Sequence, residues 1–112
     1  MQKEEYRNER LIFAGKLTLV TELTEFRMSL WVNGFGITDS FTKEEILPVI
    51  HRFNLDHFEE TGNVLFVTFR IYPNGLKNYK VEINPFEKTF TYDTSIHNLS
   101  DFEGYFYKLA NI

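Results

Sequence analysis

Three histidines, at positions 51, 57 and 97, are the side chains of this 112-residue chain best suited to proton transfer or metal ligation near neutral pH. His51 and His57 lie six positions apart, so they lack the i, i+4 spacing that sets two ligands on one helix face. Asp56 and Glu60 complete an oxygen–nitrogen site there only if the segment folds back on itself. Cysteine is absent, which removes thiolate zinc sites, iron–sulfur clusters, disulfides and cysteine nucleophiles. The carboxylate pairs Glu44/Glu45 and Glu59/Glu60 are sequence neighbours, and neighbours do not face each other on a helix or a strand. They make poor acid–base dyads. No serine elbow, phosphate-binding lysine loop, dinucleotide fingerprint or zinc-protease motif is present. Asn33-Gly34-Phe35-Gly36 has no Gly-Lys-Ser/Thr after it and reads as a loop ending a strand. The sequence therefore predicts no catalytic residue, no metal and no cofactor.

Two arrangements bear on nucleic acid. Arg52-Phe53-Asn54-Leu55-Asp56-His57 has an Arg-x4-His spacing that resembles the RNA-cleaving motif of HEPN domains. The resemblance implies Arg52 and His57 on one helix, acting on a scissile phosphate. It covers six residues, and those domains are helical bundles, whereas strand patterns dominate here. Phe66, Arg70, Tyr72, Tyr79 and Lys80 are the ingredients of a base-stacking platform. Tyr79 and Lys80, however, alternate to opposite faces of a strand. The chain also has no basic excess, so nucleic acid is not the expected partner.

Net charge is −4, and its placement is uneven. Residues 1–38 hold five basic and five acidic side chains, as do residues 61–112. Residues 39–60 hold Asp39, Glu44, Glu45, Asp56, Glu59 and Glu60 against Lys43 and Arg52. These six acids are the candidate partner-binding residues. Acid concentrated in this way repels nucleic acid and attracts basic proteins, though a solvated face has the same composition. The expected function is a small acidic, non-catalytic protein-binding module. Such a module acts as an inhibitor, or as a bacterial or phage immunity or anti-defence protein, by occluding a basic surface of its partner. The alternative is a small-ligand carrier with an aromatic-lined cavity between sheet and helices. Twelve Phe and six Tyr supply its motive.

The elements that must place these residues follow from periodicity. The whole chain, 1–112, is read as one domain, with residues 1–10 a frayed tail or short helix. No apolar run reaches the roughly 20 residues of a membrane span, so a cytoplasmic protein is expected. Leu11–Thr21 and Glu25–Val32 alternate as two strands joined by a turn near Glu22–Thr24. Thr42 and Glu45 have capping-box spacing, and Ile46, Leu47, Val49, Ile50 and Phe53 follow at helical period, with Pro48 discordant. Residues 55–60 lean to a strand. Val64–Tyr72 alternates as a central strand, Pro73-Asn74-Gly75 signals a turn, and strands follow around Tyr79–Ile83 and Phe86–Tyr92. Ser100 and Glu103 repeat the capping spacing ahead of an apolar stripe at Phe102, Tyr105, Phe106 and Leu109. The predicted order is ββ-α-βββ-α. This is an α+β domain, an antiparallel sheet of about five strands with two helices packed on one face.

Overall fold

The structure, a computed structural model, describes residues 7–26, 30–73 and 77–111. Among these residues the chain forms β1 (Arg7–Ile12), β2 (Leu17–Phe26), β3 (Leu30–Asp39), β4 (Glu45–Ile50) and β5 (Phe53–Thr61). It continues through β6 (Val64–Ile71), β7 (Tyr79–Asn84), β8 (Thr89–Tyr92), β9 (Ser95–Asn98) and α1 (Phe102–Leu109). Strands β1–β4 make a four-stranded antiparallel meander, and β5–β9 make a five-stranded one. The expectation of one five-stranded sheet under two helices is thus wrong. Among the described residues there are two sheets and one short helix.

One aromatic core joins them. On β6, Leu65, Val67, Phe69 and Ile71 are buried, and Tyr79, Val81 and Ile83 of β7 share their face, as alternation predicts. The four-stranded sheet contributes Leu17 and Leu19 of β2 and Phe35 and Ile37 of β3. Phe35 reaches across to Phe69 with ring centroids 5.7 Å apart. Phe53 stacks on Phe69 at 4.8 Å and 12°. From α1, Phe106 meets Phe69 edge-on at 5.2 Å, and Phe102 lies 5.7 Å away. The terminal helix therefore forms as its stripe predicts, with Phe102 and Phe106 buried and Leu109 left exposed. Its capping box does not form. Ser100 sits in a 3-10 turn (Leu99–Asp101), and Asp101 caps α1 without a side-chain hydrogen bond.

The other predicted helix is β4 and the start of β5. Register between β3 and β4 slips twice between Phe35 and Thr38, so the buried positions of β4, Leu47 and Ile50, fall three apart. A bulged strand thereby imitates the helical period. Pro48 fits here because β4 is an edge strand, where a missing N–H breaks no ladder on the open side. Asn33–Gly36 lies inside β3 and does not end it. A Cβ on Gly36 would fall 2.5 Å from the Leu47 carbonyl oxygen and 2.7 Å from the Val49 nitrogen, so β4 packs on bare backbone there.

Other boundaries shift for local reasons. The strand expected over Leu11–Thr21 is cut by a turn in which Phe13, Ala14 and Gly15 all have positive φ, closed by Gly15 N–H donating to the Ile12 carbonyl at 3.1 Å. Glu22–Thr24 is interior to β2, which pairs with β3 as far as Phe26 opposite Leu30. Residues 7–10 belong to β1 and are neither tail nor helix. Arg27, Met28, Ser29 and the Asn74-Gly75 turn lie outside the described residues. Residues 55–60 are strand, and a bulge between Leu55 and His57 turns Phe58 and Glu60 toward the inner face.

Three stability outcomes follow. Phe69→Ala is expected to cost about 3–5 kcal/mol in urea denaturation, against under about 1 kcal/mol for Phe66→Ala on the exposed face of the same strand. Gly36→Ala is expected to destabilise by about 1–3 kcal/mol, because backbone cannot yield as a side chain does. Gly104→Ala has open space at its Cβ and is expected to stabilise α1 by about 1 kcal/mol.

Candidate functional site

The β3–β4 turn is built from side chains that bond to backbone. Asp39 Oδ1 accepts from the N–H groups of Phe41 at 2.8 Å and Thr42 at 2.9 Å, and Thr42 Oγ1 accepts from Glu44 N–H at 3.2 Å. Those donors, Thr42 first, hold the Asp39 carboxyl below the ordinary aspartate range. The β7–β8 turn uses the same device. Asn84 Oδ1 accepts from Phe86 N–H at 3.1 Å and Glu87 N–H at 3.0 Å. Leu99 N–H then donates to the Lys88 carbonyl at 2.9 Å, tying this turn to the segment that opens α1.

Between these elements runs an open groove. β4 forms one wall, and the β7–β8 turn with the start of α1 forms the other. Glu44, Glu45, Glu87 and Glu103 line it, with Lys88 as their one cationic companion. Lys88 Nζ sits 3.0 Å from Glu44 Oε2, and both side chains are more than half exposed. Such a pair is worth about 0.2–1 kcal/mol, so it closes nothing firmly. Beside Glu103, the Tyr107 hydroxyl is pushed above the ordinary phenol range, by burial first and by that carboxylate second.

The six predicted acids are not one patch. Glu44 and Glu45 reach the groove, while Asp39 is committed to its turn. Asp56, at the β5 bulge, is bonded by Arg70 through both carboxylate oxygens at 2.8 Å and by Asn54 Nδ2 at 2.8 Å, so its charge is answered. Glu60 Oε1 accepts from Phe13 N–H at 3.0 Å and ties β5 to the β1–β2 turn. Glu59 is exposed opposite Phe66. Glu87 and Glu103 went unseen because their segment is charge-balanced in sequence. Only the fold sets them beside β4.

The remaining candidates are dispersed. Arg52 Nε donates to the Tyr72 carbonyl at 3.1 Å, and its guanidinium lies over the Tyr107 ring, while His57 is on β5. The helix that the HEPN resemblance implies is not there. Tyr79 is buried, Tyr72 stacks on Phe26, and Arg70 holds Asp56, so the stacking platform is not assembled. His97 stacks against Phe90 and Tyr105, and its Nε2 is buried with no hydrogen-bond partner among the described residues. Among the described residues no group of three or more His, Asp or Glu is placed to hold a metal ion. Among them, too, no helix is long and apolar enough to cross a membrane.

His51 does find a carboxylate. Its Nε2 is 2.8 Å from Glu22 Oε1, and Arg7 pairs with the other oxygen across the β1–β2 ladder. His51 foremost, with Arg7 adding and burial opposing, draws the Glu22 carboxyl below the ordinary glutamate range. A lowered carboxylate pKa stabilises the fold above the unfolded value of about 4.3, and that contribution is lost as pH falls through the folded value. Glu22→Gln is therefore expected to flatten the fall in melting temperature below about pH 4.3. Parallel wild-type and variant profiles between neutral pH and acid would refute the pairing.

No protein-family model, no curated protein and no solved structure matches the chain.

Proposed function

We propose that the protein is a non-catalytic binding module that docks the β4 groove onto a basic surface of another protein. The observation that supports this reading is the concentration of four carboxylates, from the β3–β4 turn, β4, the β7–β8 turn and α1, around one groove against a single lysine. That lining amounts to three of the chain's four net negative charges. An open, acidic concavity favours the approach of Lys and Arg side chains and disfavours phosphate. The six-residue assignment narrows accordingly to Glu44 and Glu45, joined by Glu87 and Glu103. Occlusion of the partner's basic surface remains the mode of action this shape suits best. The cavity alternative has less behind it. The rings that would line a pocket, among them Phe53, Phe69, Phe90, Phe102 and Phe106, lie against one another.

The test compares two triple variants in affinity capture from the native host over a salt series. Glu44→Gln/Glu87→Gln/Glu103→Gln alters the groove, and Glu25→Gln/Glu59→Gln/Glu82→Gln makes the same charge change elsewhere. At about 0.5 kcal/mol for each exposed charge, the groove variant is expected to bind about tenfold more weakly. The control should bind like wild type, and salt should weaken both. Equal losses in the two variants would mean that net charge, not this groove, governs association.

A further inference from the structure

The acidic groove does not end at Glu44. A second cleft begins there, lined by Phe41, Phe86, Ile46, Pro85 and Leu17, and the two depressions share Glu44, Ile46 and Lys88. Phe41 is 79% exposed and Phe86 is 42% exposed. Single exposed apolar residues are ordinary. Two phenyl rings lining one cleft that runs into a charged groove are a different matter, because burying both needs a partner. Electrostatics divides the depression. In the cleft, Lys16 and Lys88 balance Asp39 and Glu44, whereas the groove beyond is strongly acidic.

We propose that this composite surface takes a protein segment bearing a large apolar side chain directly beside Lys or Arg residues. The apolar side chain seats between Phe41 and Phe86, and the basic run lies along Glu44, Glu45, Glu87 and Glu103. The proposal rests on the acidic-groove reading and adds an apolar anchor to it. Lys88 then acts as a built-in competitor. It lies on Glu44 in the free protein, and an incoming cation takes its place. The exchange is easy because the resident pair is solvent-exposed. Charge complementarity fixes which part lies in which depression, since a basic run placed in the cleft would meet Lys16 and Lys88.

Two labelled synthetic peptides test this by fluorescence anisotropy. Both carry the run Lys-Arg-Lys in a Gly/Ser context, and only one has Trp directly before it. The Trp peptide is expected to bind about tenfold more tightly, from burial of one large side chain. Phe41→Ser should remove that advantage and leave the other peptide unchanged. Its fold is checked by an unaltered melting temperature. Lys88→Gln should strengthen both peptides about threefold by freeing Glu44. Salt-sensitive binding of both peptides with no preference for Trp would overturn the anchor while leaving the groove reading standing. Failure of either peptide to bind in a salt-dependent way would overturn both.

Discussion

The ring of Phe69 is the contact on which the rest of the molecule depends. It is fully buried on β6, stacks on Phe53 of the neighbouring strand, and touches Phe35 of the other sheet and Phe102 and Phe106 of α1. The partners come from β3, β5 and α1, so one side chain couples both sheets and the helix. Phenylalanine suits that position. A flat ring can stack on one neighbour while offering its edge or face to others, with about 0.5–1.5 kcal/mol per pair beyond area burial. A chain of 112 residues has few positions with which to tie two sheets together. Concentrating the ties in large rings is an economical solution.

The groove is a by-product of how the two sheets are joined. Because β4 lies on the bare backbone of Gly34 and Gly36, the chain turns through His51 and Arg52 and starts the second sheet without a long connection. Asn54 Oδ1 accepts from Asn33 N–H at 2.8 Å, beyond the last β3–β4 pair at Phe35 and Ile50. That bond satisfies a donor the ladder no longer serves. β4 is left with one edge paired and one open, and the open edge becomes a groove wall. Pro48 is tolerated on that strand because an edge strand has only one ladder to serve.

Much of the second sheet was legible because its strands alternate cleanly. Leu65, Val67, Phe69 and Ile71, then Tyr79, Val81 and Ile83, declare their buried face without help. The first sheet was harder to read. Bulges replace a period of two by a spacing of three at Leu47 and Ile50, and that spacing belongs equally to a helix. Side chains that bond to turn backbone, such as Thr42 to Glu44 N–H, also use the chemistry of helix caps. The turns at Phe13-Ala14 and Asp93-Thr94 carry positive φ, which Phe, Ala and Thr rarely adopt, so β1 and β9 were missed. At the candidate groove, local charge density in the sequence singles out Glu44 and Glu45. Glu87 and Glu103 needed the third dimension.

That last distinction bears on what the acids are for. Asp39, Asp56 and Glu60 each accept hydrogen bonds that hold a turn, a bulge or a junction between sheets, and their charges serve the fold. The groove carboxylates are differently placed. Four of them line one opening, from the β3–β4 turn, β4, the β7–β8 turn and α1, with one exposed lysine among them. A structural account would predict that acids so gathered pair with basic neighbours, as Asp56 does with Arg70. They gather instead around an opening, at the point where two exposed phenylalanines also line the surface. Uncompensated acid and exposed apolar surface thus lie side by side, and under the proposed function a single basic, apolar partner would cover both at once.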